Sequence, residues 1–145
     1  MATSIGLSAT RMNLGSKDYN AEVTGITEGA AVIASASTDD SLVKLPAGAA
    51  AAKVMGVCAT AFGVGGSSAV GDIVNIQKVG QAMVLLVAGA TCNRGDELIT
   101  ANSSGHVKSR TAETACTVIG RAEATHTAGA TAEMVPCWLL LNHIP

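Results

Sequence analysis

Three histidines and four cysteines are the side chains here best suited to metal binding or nucleophilic chemistry, and their spacing argues against both. His106, His126 and His143 are dispersed, and their expected places are a turn, a polar loop and the C-terminal stretch. Cys58, Cys92, Cys116 and Cys137 lie far apart, with no Cys-x-x-Cys pair and no histidine at ligand spacing, whereas structural zinc sites are assembled from such pairs. They read as buried thiols acting as small hydrophobes. A serine nucleophile would be expected on a Gly-x-Ser-x-Gly elbow, but Gly65-Gly66-Ser67-Ser68-Ala69 ends in alanine. The overlapping loop from Gly63 to Ser68 begins as a phosphate cradle would. Ser68 then stands where a third glycine belongs, and no Lys-Ser or Lys-Thr follows. Lys78, ahead of Val79-Gly80, could carry a lipoyl-type group on a turn, yet the Asp-Lys or Met-Lys-Met context of such carriers is missing. The expectation is a chain that is not an enzyme, with no catalytic residues, no cofactor and no metal ligands.

The elements that would have to position any site are β-strands. The stretch from Gly71 to Val107 carries two Gly-Asp turns, Gly71-Asp72 and Gly95-Asp96. Each launches an apolar-rich strand, Ile73-Val74-Asn75-Ile76 and Leu98-Ile99-Thr100, and an apolar run from Ala82 to Ala88 lies between them. Glycine reaches positive φ and aspartate bonds its own downstream backbone, so the pair turns the chain at little cost. A tight turn at Asn102-Ser103-Ser104-Gly105 leads back into His106-Val107-Lys108, as in a hairpin.

Composition limits the partners. One domain's worth of chain, 145 residues, has 48% hydrophobic residues but only 2% aromatic ones, so its core must be built from Val, Ile, Leu, Met and Ala. Charged residues make up 14% and the net charge is −2, which leaves a neutral surface of small side chains. Such a surface suits burial against other protein; a solvated Ala, Ser, Thr and Gly surface is the alternative. The nine Lys and Arg are scattered without a cluster, so no nucleic-acid partner is expected. No stretch approaches the roughly 18 apolar residues of a membrane span, and Met1 to Asn20 lacks the pattern of a secretory signal. The expectation is synthesis in a reducing cytoplasm, no membrane partner and no structural disulfide.

In chain order, residues 1–20 are polar and weakly patterned and read as an extended N-terminal arm. Short strands are expected over Ala21 to Ile26, Ala31 to Ala34, Leu42 to Leu45 and Val54 to Ala59, with Gly56 marking a bulge or a close backbone approach. Ala49 to Ala52 makes the best local case for a helix, of a turn or two at most. Laid on itself, the chain shows an internal repeat. Val43-Lys44 matches Val107-Lys108 and Val54-Met55-Gly56 matches Val118-Ile119-Gly120, both at a shift of 64; Val32-Ile33 matches Leu98-Ile99 at 66. Convergent β patterning could imitate such a repeat. The fold class that follows is mainly β, a small barrel or sandwich in a domain spanning 21–145. Its two pseudo-repeated units, 28–77 and 94–141, would share one core, with at most short helices.

The succession Leu42-Val43-Lys44-Leu45-Pro46, Val54-Met55-Gly56-Val57-Cys58, Gly71-Asp72-Ile73-Val74, Ala88-Gly89-Ala90, Arg94-Gly95-Asp96-Glu97-Leu98-Ile99-Thr100, Gly105-His106-Val107 and Val118-Ile119-Gly120 resembles the small capsid cement, or head decoration, proteins of tailed bacteriophages. The resemblance covers most of Ala21 to Leu141 and rests on turn chemistry and alternation; the four cysteines and Trp138 are departures from it. It implies a non-enzymatic homotrimer that is made in the host cytoplasm and sits on the outer capsid surface of the virion. Its partner would be the major capsid protein, bound at three-fold and quasi-three-fold positions to stabilise the shell against internal pressure. The alternative is a trimeric receptor-binding or fibre module on a virion. Tyr19, Phe62 and Trp138 are too few and too separated to form the aromatic platform that sugar binding favours.

Overall fold

The computed structural model describes residues 15–61 and 66–145. Among them are twelve strands and no α-helix. β1 (Ser16–Ala21), β2 (Ala31–Ala34), β3 (Leu42–Lys44), β4 (Val54–Ala61) and β5 (Ile73–Gln77) close into a barrel in the order β1-β3-β2-β4-β5. β6 (Val79–Leu86), β8 (Glu97–Thr100), β9 (Val107–Ser109), β10 (Cys116–Ala122) and β12 (Glu133–Ile144) close into a second barrel, ordered β10-β12-β6-β9-β8. A small ribbon of β7 (Thr91–Cys92) and β11 (His126–Thr127) stands beside it. Closure satisfies most strand edges without a partner chain.

The two barrels are one topology used twice. In each, the first strand runs parallel to the third and antiparallel to the fifth, the second is antiparallel to the third and fourth, and the fourth to the fifth. The repeat matches at the level of register: Val32 pairs with Gly56 as Leu98 pairs with Gly120, and Ala21 pairs with Val43 as Leu86 pairs with Val107. Three expectations need correction. The two pseudo-repeated β units are not halves of a single barrel: each closes a five-stranded barrel of its own, and the cluster they share is the one in which Ala31, Val54 and Val57 of the first pack on the second. The repeats span 16–77 and 79–144, since the strand that opens each unit, β1 or β6, lies before the expected starts at 28 and 94. The chain from Ser16 to Asn20 belongs to the first barrel rather than to an arm, because Tyr19 and Ala21 alternate into its core between polar neighbours. The rest of that arm, residues 1–14, lies outside the described residues.

Two strands form a wall between the barrels. Alternation along β2 and the register shift beside Gly56 in β4 send Val32, Met55 and Cys58 into the first core, beside Tyr19, Ile26, Val43, Val74 and Ile76. They send Ala31, Ile33, Val54 and Val57 the other way, into the cluster built on Val84, Leu86, Leu98, Ile119, Val135 and Leu139 of the second barrel. Residues 21–26 do not form the expected strand: β1 ends at Ala21, the chain bends over 22–24, and Ile26 turns into the core.

The alanine run takes no helical turn. Thr100 carries the reason: its carbonyl accepts from the Ala50 amide at 2.9 Å and its Oγ1 from the Ala51 amide at 2.7 Å. Thr117 also donates from its backbone to the Ala51 carbonyl and from Oγ1 to that of Ala52. The second barrel has captured the donors and acceptors a helix would use, and Ala50 is left at φ 53°. Four alanines cannot outweigh that, because an isolated short helix is marginal whatever its propensity.

Small residues set how closely the strands approach. A methyl group on Gly56 would lie 2.3 Å from the Gln77 carbonyl oxygen, and one on Gly120 2.1 Å from that of Trp138. The glycine of each Val-(Met/Ile)-Gly segment is thus where the fourth strand meets the fifth; Gly56 lies beside a register shift between the second and fourth strands, and Gly120 beside one between the fourth and fifth. Gly120→Ala should destabilise the fold by about 3 kcal/mol through forced backbone displacement, a melting shift of roughly 6–12 °C. Gly48→Ala, where an added methyl meets nothing within 4 Å, is the neutral control. Thermal and chemical denaturation of the two variants measure the difference.

Candidate interaction surface

The side chains with chemical potential are placed apart and put to structural use. Cys58 belongs to the first core, Cys92 and Cys137 to the second, and Cys116 to a small cluster with Ile99 and Val118; all four are free thiols. Burial pushes the Cys58 and Cys137 thiols up to about 12, helped by the charges of Glu28 and Glu123 respectively, and also raises Cys92. His106 Nδ1 lies 3.2 Å from the Asn102 amide nitrogen in the β8–β9 turn, and burial lowers its pKa. His126 meets the Glu133 carboxylate, and His143 sits on β12 opposite Thr117. Among the described residues no three of His, Cys, Asp and Glu converge.

Ser68 is buried, its hydroxyl accepting from the Ile26 amide and donating to the Val23 carbonyl, each at 3.1 Å. Ser67 forms an isolated bridge with Thr27, while Phe62 to Gly65 lie outside the described residues. Lys78 does not stand on a hairpin. It is the single residue joining β5 of one barrel to β6 of the other, and its Nζ donates to the Tyr19 hydroxyl at 2.6 Å.

What the strands do assemble is an outward apolar face on the second barrel. Along β12, Val135, Cys137 and Leu139 point inward, so Met134, Pro136, Trp138 and Leu140 point outward. Pairing with β6 sets Pro136 against Met83, Trp138 against Gln81 and Leu140 against Val79. Trp138 is 52% exposed and Leu140 64%, with Val79, Met83 and Met134 exposed beside them. A groove of about 330 Å³ runs between β10 and β12, lined by Val118, Gly120, Arg121, Trp138 and Leu140. A second, of about 480 Å³, lies at the seam between the barrels, where Gln77, Cys58 and Ala59 face Gln81, Met83 and Met134. The grooves are shallow and largely apolar; their lining is suited to contact with protein.

Composition marked this surface only as neutral and small. The alternation of β12 was legible, but which of its two apolar sets faced outward was not, since both Cys137-Leu139 and Trp138-Leu140 are apolar.

Fold and surface together define a tandem β-barrel protein with an apolar face and no cluster of reactive groups among the described residues. No protein-family model matches the sequence. No curated protein matches it either. Among solved structures, the chain is similar to the head fiber gp8.5 N base in bacteriophage phi29, at 19% identity and a TM-score of 0.59 over 86% of this chain and 92% of that one. That likeness is one of fold.

The buried thiols make a measurable statement about pH. Their neutral forms are favoured in the folded state, while an unfolded thiol ionises near 9. Above that pH the unfolded chain binds fewer protons than the folded one, so stability should fall as pH rises from 9 toward 12. Cys58→Ala and Cys137→Ala should each lose part of that dependence, read by urea unfolding at pH 7 and pH 10. In the folded protein a disulfide reagent should label these two thiols only at the rate of opening.

Proposed function

We propose that this chain is a structural protein of a tailed-phage head, a cement protein that binds the outer surface of the shell and strengthens it without catalysis. The observation that carries the proposal is the tandem-barrel fold, similar over most of both chains to a head fiber base. The cement family that the strand-and-turn succession resembles works at the same kind of surface. The outward apolar face on β6 and β12 supplies a means of attachment, and Cys58, Cys92, Cys137 and Ser68, all buried, offer no exposed nucleophile. In this proposal the partners are the major capsid protein and further copies of the chain in a homotrimer. Three identical faces would then meet three neighbours at a three-fold position.

Cementing is a matter of mass action. A ligand that binds the intact shell and not its separated parts stabilises it by RT ln(1 + [L]/Kd) per site, roughly 2.7 kcal/mol at a hundredfold excess over Kd. Summed over many equivalent sites, that modest term becomes decisive and needs no reactive side chain. A second reading, the base on which a head fibre stands, is favoured by the similarity of fold to the phi29 head fiber base.

Adding the purified chain to undecorated heads should produce saturable density on the outer surface and raise the temperature at which DNA is released. Binding at full occupancy with an unchanged release curve would remove the cement role. A projecting fibre assembled on the bound chain would put the fibre-base role in its place.

A further inference from the structure

The β8–β9 turn carries two joins at once. β6 meets β9 at a single residue pair, Leu86 with Val107, reinforced by the Val87 amide donating to the Val107 carbonyl at 2.9 Å. That pair closes the second barrel. Two residues earlier, the Gly105 carbonyl accepts from the Ala31 amide of the first barrel at 2.8 Å. His106 lies between the two joins, and Asn102 fixes its protonation state. Asn102 Oδ1 accepts from the backbone amides of Ser104 at 3.0 Å and His106 at 3.2 Å. With the oxygen so engaged, the amide nitrogen is the atom that faces His106 Nδ1, 3.2 Å away. An amide nitrogen only donates, so Nδ1 must accept, and the imidazole is neutral with its proton on Nε2.

We propose that Asn102 and His106 form a pH-responsive latch: neutral His106 holds the turn that closes the second barrel and ties it to the first, and a second proton on the imidazole loosens both joins. The added proton would sit on Nδ1 and point at the Asn102 donors. Turning the Asn102 amide to offer its oxygen would strip that oxygen from the Ser104 and His106 amides, so one set of donors is left unpaired either way. The charged groups of the segments around the turn are Glu28 ahead of β2, Glu97 on β8 and Lys108 on β9; Glu97 pairs with Arg110 and Lys108 with Glu113. None of them acts on the imidazole, whose pKa burial alone lowers. A histidine whose folded pKa is depressed takes its proton more readily once the turn opens. The stability contributed by the latch is therefore present above the ordinary histidine value of about 6.5 and is lost as pH falls below it. The proposal is independent of the phage-head reading.

Imidazole nitrogen-15 shifts of the full chain should show the Nε2–H tautomer of His106 at about pH 8 and an ionisation below the ordinary value of about 6.5. Hydrogen exchange, corrected for its intrinsic pH dependence, should show the Ala31 and Val87 amides losing protection together, about fivefold between roughly pH 7.5 and pH 5.5. His106→Gln, which keeps a side-chain acceptor but does not titrate, should flatten that response. Asn102→Asp should reverse it, because a carboxylate oxygen facing Nδ1 favours the imidazolium and raises its pKa. Melting curves at neutral pH establish that the variants fold, and the nitrogen-15 shifts need no variant. An Nδ1–H tautomer at about pH 8, or an ionisation at or above about 6.5, would overturn the latch. So would a His106→Gln chain whose two amides still lose protection on acidification, since the response would then belong to other groups.

Discussion

The structure depends on a wall of two strands that faces two ways. Successive side chains of β2 point to opposite sides, and the register shift in β4 keeps Val54 and Val57 on one side and Met55 and Cys58 on the other, so one set closes the first barrel's core and the other packs on the second barrel. Apart from the exposed Ala34, neither strand presents a solvated face over these residues, so the usual alternation of apolar and polar residues is replaced by near-continuous apolar runs, Ala31-Val32-Ile33-Ala34 and Val54-Met55-Gly56-Val57-Cys58. The same wall fixes the barrels relative to each other. The Ala31 amide donates to the Gly105 carbonyl and the Leu85 amide to the Gly29 carbonyl, so the junction is tied by backbone as well as by packing.

Small side chains make that arrangement possible. With few aromatics, the core has no large plates to hold sheets apart, and strands meet at contact distance where Gly56 and Gly120 allow it. Gly105 does the same between barrels: at φ 76° it turns the β8–β9 hairpin, and an added methyl would lie 2.5 Å from the Ala31 carbonyl oxygen. The buried cysteines follow the same logic, filling core positions where burial keeps the thiol protonated.

The second barrel's outward face differs from the equivalent face of the first at a facing pair of positions: Trp138 stands where the first barrel has Gln77, and Arg121 where it has Val57. Exposed tryptophan and leucine side by side are costly to leave in water and favourable to cover.

The sequence by itself determined the β class, most strand positions, the hairpin at Asn102–Gly105 and the repeat that pairs Val43 with Val107 and Gly56 with Gly120. These features are local: turn residues, alternation and glycine spacing act within a few positions of themselves. It did not determine that Ser16 to Ala21 is a strand, because only Tyr19 and Ala21 mark its buried side. Nor did it determine that Ala49 to Ala52 would bend rather than coil into a helical turn, because that choice is made by Thr100 and Thr117, about fifty and sixty-five residues away. The tertiary structure alone decided that each repeat closes its own barrel and that Trp138 and Leu140, rather than Cys137 and Leu139, face outward. Both are questions of which face of an apolar strand meets another strand, and a one-residue change of register would reverse the answer without altering a letter of the sequence.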